Sequence, residues 1–187
     1  MMSVMAAVME GPLADLSAWK ADECSIAKAM DLIGTRSAVL ILREAYYGTR
    51  RFDGFASRVG ITDAAAAAQL RKLTEAGLLA KRPYQEEGKR TRHEYVLTRM
   101  GRDLLPAVLA LMQWGDAYLQ PGPAPLLLVE EATGAPVRVQ VRSESGREIE
   151  LEELGVRLNE DYARQRRERR RSAATDGPST GGDATTR

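Results

Sequence analysis

The chain has 187 residues, 44% of them hydrophobic, which suffices for one ordinary domain and a small appendage. Its uncharged stretches, such as residues 104–115, are shorter than the ~20 apolar residues of a membrane helix, and residues 1–9 lack the basic start of a signal peptide. We therefore expect a cytoplasmic protein that makes no membrane contact. Cys24 and His93 are the only residues of their kinds, and no phosphate-binding loop or dinucleotide fingerprint is present. We expect no disulfide, no metal, no cofactor and no enzymatic activity.

The net charge of +1 hides an uneven distribution along the chain. Residues 36–102 contain 14 Lys and Arg against 7 Asp and Glu, whereas residues 1–35 and 103–187 each have a net charge of −3. A basic segment between acidic flanks favours a polyanion as its partner. The alternative is a solvated surface whose charges are merely uneven.

The apolar periodicity predicts five helices and one hairpin before residue 120. In chain order, the predicted elements are a loosely ordered arm (1–19), a helix from Cys24 to Gly34, a helix from the N-cap candidate Ser37 to Gly48, a short helix over 52–59, a helix from the N-cap Thr62 to Gly77, two strands (78–84 and 93–98), and a long helix from Thr98 to about Leu119 with a bend at Pro106. The short turn at Gly60 is typical of a helix–turn–helix, and the basic hairpin behind it is typical of a winged helix.

The composition changes after residue 120, where a Pro-rich linker precedes three strand-like pieces over 126–129, 137–141 and 149–151. Gly134 and Gly146 mark turns between them, and the basic run within 160–171 is a candidate helix. We predict a mainly α fold with a small β wing (α+β). Its parts are a flexible N-terminal arm (1–19), a winged helix–turn–helix domain (20–120), a small antiparallel β extension (121–157), and a basic, then disordered tail (158–187).

The fourth predicted helix is the candidate recognition helix, whose N-terminal part would enter the major groove of double-stranded DNA. We predict a core stripe of Ala66, Ala67, Leu70 and Leu73. The opposite face is nearly all alanine, which can contact a thymine methyl group but cannot hydrogen-bond a base. Gln69 suits a bidentate adenine contact, and Arg71 and Lys72 suit phosphates. The predicted DNA-binding residues here are Thr62, Asp63, Ala64, Ala65, Ala68, Gln69, Arg71 and Lys72; the alternative is an Ala-rich helix that is only a strong helix former.

The predicted wing adds cations that position a protein on DNA without reading its sequence. Lys89 and Arg90 lie at its tip, Arg92 lies at its base, and Arg50 and Arg51 precede the third helix. We expect charge reversal at Lys89 and Arg90 to weaken binding equally on all sequences and to flatten its salt dependence.

The long helix has a wider apolar stripe than one small domain needs. With the first helix it could form a two-fold interface, which suits a palindromic operator. The predicted dimer residues are Ile26, Met30, Leu105, Val108, Leu109, Met112 and Trp114; the alternative is packing against the C-terminal sheet. Cys24 is a candidate redox sensor because a helix N-terminus favours a reactive thiolate, although the adjacent acidic residues oppose it. An inert, half-buried thiol is the alternative.

Residues 22–119 strongly resemble the HxlR-type winged helix–turn–helix regulators. The specific motifs are LILREA, GTRRFDGF, L-x-x-L-x-E-A-G-L-L and Y-x-L-T-x-x-G. The resemblance implies a dimeric bacterial transcription factor without enzymatic activity, with its first and last helices at the dimer interface. It also implies that Cys24 matches the N-terminal cysteine with which some members sense oxidants or electrophiles.

The chain departs from the family pattern in three places. Residues 34–37 read Gly-Thr-Arg-Ser, without the family's tryptophan, and the recognition helix is less polar than usual. The C-terminal region resembles an extension of some actinobacterial relatives in which Cys-Gly pairs suggest a zinc ribbon. Thr133-Gly134 and Ser145-Gly146 stand at those places, which implies a ribbon-like hairpin without metal.

Taken together, these features predict a sequence-specific transcriptional regulator, a homodimeric repressor that binds a palindromic operator through the 62–76 helix and the 85–92 wing. One alternative is an architectural DNA-binding protein with little sequence preference, and another is a protein-interaction module without operator readout. An enzyme is a further alternative, but no nucleophile lies beside a base in the sequence. The effector is either an oxidant at Cys24 or a small molecule between the long helix and the C-terminal sheet.

Overall fold

The computed structural model describes residues 6–15, 23–85, 87–88 and 90–175. The chain divides into two compact units, of which one is Ala21–Gln140 and the other combines Met1–Lys20 with Val141–Arg187. Within the described residues, no helix has the length and apolar character needed to cross a membrane.

The larger unit begins with four helices: α1 (Ser25–Ile33), α2 (Arg36–Tyr46), α3 (Phe52–Val59) and α4 (Asp63–Glu75). The predicted cap of α4 is confirmed, since the Thr62 side chain accepts a hydrogen bond from the Ala65 N–H over 3.3 Å. The cap of α2 is Thr35, which accepts from the Ala38 N–H over 3.2 Å, so the prediction of Ser37 was wrong. Ser37 lies inside the first turn, because the helix starts earlier than its apolar pattern does.

The wing follows directly. Strand β2 (Leu79–Tyr84) pairs antiparallel with β3 (Arg92–Leu97), in a register that sets Leu79 opposite Leu97. The predicted long helix is two helices, α5 (Arg99–Asp103) and α6 (Leu105–Tyr118). Pro106 lies in the first turn of α6, where its missing N–H costs no hydrogen bond, so the expected bend is a break.

The core lies where α2, α3, α4 and the base of the wing meet. Its largest fully buried side chains are Phe55, Ile41, Leu42, Leu70, Leu73 and Leu79. The motif Y-x-L-T-x-x-G joins the wing to α5: the Thr98 hydroxyl donates to the Gly77 carbonyl over 2.6 Å and accepts from the Gly101 N–H over 3.1 Å. A Cβ atom on Gly101 would lie 2.2 Å from the Leu78 carbonyl oxygen, so the backbones are in contact there.

The C-terminal strands are much shorter than predicted. In the larger unit a single bridge joins Val129 and Pro136, and in the smaller unit a single bridge joins Arg142 and Glu148. Both predicted turns are confirmed, with φ of +70° at Gly134 and +83° at Gly146. Pro136 lacks the N–H that a longer ladder needs in the first pair of segments, and residues 142–150 of the second pair are rich in charge.

The smaller unit contains β1 (Val8–Met9), β4 (Gly155–Val156) and α7 (Glu160–Thr175). The sequence predicted a loosely ordered arm for the first of these segments, but β1 pairs in parallel with β4. An ion pair of 2.5 Å between Arg157 and Glu10 accompanies this pairing. The predicted strand over 149–151 leads instead into a 3₁₀ turn, Leu151–Glu153. The helical prediction for the basic run is confirmed by α7.

Candidate nucleic-acid interface

Helix α4 has one buried and one exposed face. Ala66, Leu70 and Leu73 are buried, as the stripe predicted, but Ala67 is exposed, so that assignment was wrong. The exposed residues include the predicted DNA-binding positions Thr62, Asp63, Ala64, Ala65, Ala68, Arg71 and Lys72. The left-handed Gly60 (φ +71°) ends α3 and turns the chain into α4. The N-terminal half of α4 is therefore an open, almost purely methyl surface.

Gln69 belongs to the buried face instead. Only 9% of it is exposed, and its Oε1 accepts hydrogen bonds from the Thr35 hydroxyl over 3.3 Å and the Ser37 hydroxyl over 3.5 Å. Its Nε2 is buried without a hydrogen-bond partner among the described residues. The structure thus corrects the predicted adenine contact, because the helical phase turns this amide towards the start of α2.

The two cations of α4 lie towards its C-terminal end. Arg71 is exposed, with its Nε 4.0 Å from Glu75 Oε1. Lys72 is exposed too, but its ammonium group donates to the Asp31 carbonyl over 2.7 Å, which ties α4 to the C-terminal turn of α1. Neither side chain is covered by the core, so phosphate contacts from both stay predictions.

The wing presents exposed basic side chains on both strands. Arg90 and Arg92 are exposed as predicted, whereas Lys89 lies outside the described residues. Lys81 and Arg82 of β2 are exposed as well and were missed by the sequence reasoning, which considered only the tip and the second strand. Their signal was a Lys-Arg pair within the strand predicted over residues 78–84.

Arg50 and Arg51 are held beside the wing. The Tyr95 N–H donates to the Arg50 carbonyl over 2.8 Å, and an Arg50 Nη1 lies 3.9 Å from Glu94 Oε1. The Arg51 guanidinium lies 4.9 Å from the centre of the Tyr84 ring, within range of a cation–π interaction. The segment before α3 therefore adds its positive charge to that of the hairpin.

A buried ion cluster that the sequence did not predict joins α2 to α3. Glu44 is 2% exposed and accepts hydrogen bonds from Arg58 and, over 2.6 Å, from Arg43. Burial raises the pKa of Glu44, but the hydrogen bonds from Arg58 and Arg43 outweigh it, so the pKa lies below its ordinary value. The cluster accounts for the charged residues of the LILREA motif, because Arg43 and Glu44 are two of the three residues that form it.

Helices α1 and α6 leave apolar side chains uncovered. No residue of α1 is buried, and Ile26 is 74% exposed. On α6, Trp114 and Tyr118 are 57% and 74% exposed. Val108 is buried within the chain, which corrects its assignment to a dimer surface. The other predicted interface residues are the exposed Met30 and the half-buried Leu105, Leu109 and Met112.

The half-buried side chains of α6 line a cavity of about 930 Å³ between α2, α6 and residues 125–128. Its walls are mostly aliphatic, and the Glu44 cluster is also part of its lining. Gln113 fastens α6 to the first C-terminal hairpin, because its amide donates to the Val137 carbonyl and accepts from the Val139 N–H, both over 2.9 Å. One side of α6 thus packs against the extension, as the alternative interpretation held, while another stays open.

Residues 32–123 match the family model of the HxlR-like helix-turn-helix. The chain is 44% identical over 111 residues to an HTH-type transcriptional regulator of Mycobacterium tuberculosis, covering 59% of this chain and 69% of that protein. The chain belongs to the HxlR family. It is also 30% identical over 105 residues to the HTH-type regulator YdeP of Bacillus subtilis, covering 56% of this chain and 80% of that one.

Two solved structures resemble this HxlR-type protein over about three quarters of its length. A crystal structure of PA1607, described as a candidate transcription factor, matches with a TM-score of 0.65 and 35% identity, covering 74% of this chain and 95% of that one. PA1374 of Pseudomonas aeruginosa, described in the same way, matches with a TM-score of 0.54 and 33% identity, covering 76% and 99%. The protein is accordingly a DNA-binding transcriptional regulator of the winged helix–turn–helix class.

Proposed function

We propose that this HxlR-type regulator is a homodimeric repressor that binds a palindromic operator through α4 and the wing. The observation that supports this most directly is the open N-terminal half of α4 beside a hairpin with exposed cations. In a helix–turn–helix this half of the recognition helix enters the major groove, while cations beside it contact phosphates. A two-fold dimer presents two such helices to two half-sites of one operator.

The chemistry of the α4 surface defines how the operator is read. Ala64, Ala65 and Ala68 let the helix approach the base edges closely and contact thymine methyl groups. With Gln69 buried, no amide of α4 is available for adenine. Specificity then comes from methyl contacts and from the shape of the DNA, while Arg71, Lys72 and the wing supply affinity through phosphates.

The uncovered apolar surface of α1 and α6 supports the dimer. Ile26, Met30, Leu111, Trp114 and Tyr118 are all more than half exposed, a set that a second copy of the chain would cover. Exposed aromatic residues such as Trp114 and Tyr118 are typical anchors of protein interfaces. We propose α1 and α6 as the interface.

Two sites suit an effector in this proposal. The cavity between α2 and α6 has the size and aliphatic lining of a small-molecule site, and α2 is part of the DNA-binding core. The half-buried Cys24 lies at the N-cap of α1, where its side chain makes no capping hydrogen bond. Oxidation of this thiol would change the N-terminus of α1, which belongs to the proposed dimer surface.

The proposal is tested by a carboxylate on the methyl surface. Ala65 is the third residue of the helix after the N-cap Thr62, the position at which a glutamate completes a capping box. We therefore expect the Ala65→Glu variant to keep a stable fold. We expect operator affinity to fall at least ~10-fold, because the carboxylate faces the DNA. Ala65→Gln, which has the same shape without the charge, should retain more affinity, and Ala132→Glu on an exposed turn should change nothing. Unchanged affinity for Ala65→Glu would contradict the proposed role of α4.

A further inference from the structure

Helix α7 has a strongly polarised sequence. Its N-terminus is capped by Asn159, whose Oδ1 accepts from the N–H groups of Asp161 and Tyr162 over 3.0 and 3.2 Å. Glu160 and Asp161 occupy the first turn, and residues 164–171 then contain six arginines and one glutamate. The acidic first turn suits the positive end of the helix dipole and Asn159 caps it, so the start of this helix is favoured despite its charge density.

Several of these arginines are available to a partner. Arg164 pairs with Asp161 inside the helix. Arg166, Arg167 and Arg169 are exposed, and none of them makes an ion pair with a carboxylate in the part of the chain that the structure describes. Like charges this close repel one another, and a bound polyanion would relieve that repulsion.

The arginines also lie on more than one side of α7. Successive helical residues turn by about 100°, so Arg167 and Arg169 point about 200° apart, close to opposite directions. A flat anionic surface could contact only one of these sides. The major groove of B-DNA has phosphates along both walls and is about 12 Å wide, which matches the ~10–12 Å diameter of a helix with its side chains.

We propose that α7 is a second DNA-contacting element, which lies in a major groove and contacts phosphates of both strands through its arginines. The inference rests on the proposed function, since it assumes that the chain binds operator DNA. Anionic membranes fit less well, because an interfacial helix needs one apolar face and residues 164–171 contain no apolar side chain. Duplex RNA fits less well because its major groove is too narrow for a helix.

The test compares the full-length chain with the triple variant Arg166→Gln, Arg167→Gln, Arg169→Gln by fluorescence anisotropy on operator and scrambled duplexes. Removing one arginine–phosphate interaction should reduce the slope of log affinity against log salt by about 0.9. With three such interactions from each chain of the proposed dimer, the slope should fall by about 5, and the wild-type advantage should shrink about 2 × 10³-fold between about 50 and about 200 mM salt, equally on both duplexes. The charge-preserving variant with Lys at all three positions should keep the wild-type slope, and the melting temperatures of all variants should agree.

The outcomes separate the two claims. A wild-type chain that binds DNA while the Gln variant keeps its slope contradicts the role of α7 and leaves the proposed function intact. A wild-type chain that binds no duplex contradicts both. Tighter binding to phosphatidylserine vesicles or to an RNA duplex than to DNA, abolished in the Gln variant, would also overturn the assignment.

Discussion

The side-chain oxygen of Gln69 on α4 accepts a hydrogen bond from the hydroxyl of Thr35, the N-cap of α2, over 3.3 Å. Thr35 at the same time caps α2, and Ser37 makes a second contact of 3.5 Å to the same oxygen. Ser37 ends the segment in which the family has a tryptophan. In this chain, polar contacts from Thr35 and Ser37 therefore fix the start of α2 against α4.

The first prediction concerns that contact. Gln69→Leu removes a buried amide whose Nε2 has no partner among the described residues, so its hydrogen bonds and its desolvation cost disappear together. We expect the free energy of unfolding to stay within about 1 kcal/mol of the wild type. The preference of the protein for each operator base pair, measured with single-substitution duplexes, should not change. A preference for adenine that disappears at one position would show instead that Gln69 reads a base.

A second prediction concerns Gly101. Because a Cβ atom there would lie 2.2 Å from the Leu78 carbonyl oxygen, Gly101→Ala must displace backbone, and we expect a loss of about 1–3 kcal/mol in urea unfolding. Gly115→Ala in α6 is the matched control, since its Cβ atom meets nothing within 4 Å. It should be neutral or stabilising by up to about 1 kcal/mol. Equal stability of the two variants would refute the close contact.

The Glu44 cluster predicts an acid-dependent stability. Its lowered folded-state pKa means that ionised Glu44 stabilises the fold above its ordinary pKa of 4.5, and that this contribution is lost as the pH falls below that value. Glu44→Gln should lower the melting temperature at neutral pH, with a cost on the order of 1–3 kcal/mol because Arg58 stays partly hydrated. The melting temperature of the variant should also fall less steeply below pH 4.5. Two parallel pH profiles would contradict this role.

The proposed dimer surface is tested by a charge on α1. Ile26 is 74% exposed in the single chain, and Ile26→Glu should yield a monomer in sedimentation velocity because a carboxylate would be buried at the interface. Leu127→Glu is the control, since Leu127 is 84% exposed but lies outside α1 and α6. It should leave the dimer intact. A dimeric Ile26→Glu chain would place the interface elsewhere.

The role of Cys24 is tested by an isosteric change. Cys24→Ser should leave operator affinity unchanged, because the thiol makes no capping hydrogen bond. If Cys24 is the sensor, peroxide or a quinone should release the wild-type protein from DNA but not the variant, measured by anisotropy before and after treatment. A variant that still responds leaves the cavity between α2 and α6 as the effector site.

The local features of the DNA-binding domain could be predicted from the sequence. The bounds of α3, the Thr62 cap and the turn glycines depend on a few adjacent residues, and each was predicted. The order of helices and wing was predicted from the apolar periodicity and the turn at Gly60, and the structure confirms it. These signals are local, because caps and turns are satisfied within three or four residues.

The features that were missed depend on residues far apart in the chain. The buried Gln69 side chain accepts hydrogen bonds from hydroxyl groups more than thirty positions earlier in the chain. Glu44 forms an ion pair with Arg58 of the next helix. The burial of Val108 depends on which side of α6 the rest of the unit covers. The parallel pairing of β1 with β4 joins segments near opposite ends of the chain, which periodicity alone cannot indicate.

The most direct measurement of the central claim is fluorescence anisotropy of the full-length chain on DNA from upstream of its own gene, against a scrambled duplex, over a series of salt concentrations. We predict binding to the natural fragment about 10³-fold tighter or more, with a steep salt slope on both duplexes. Equal affinity for the natural fragment, for other candidate promoters and for the scrambled duplex would contradict a sequence-specific regulator and favour an architectural role.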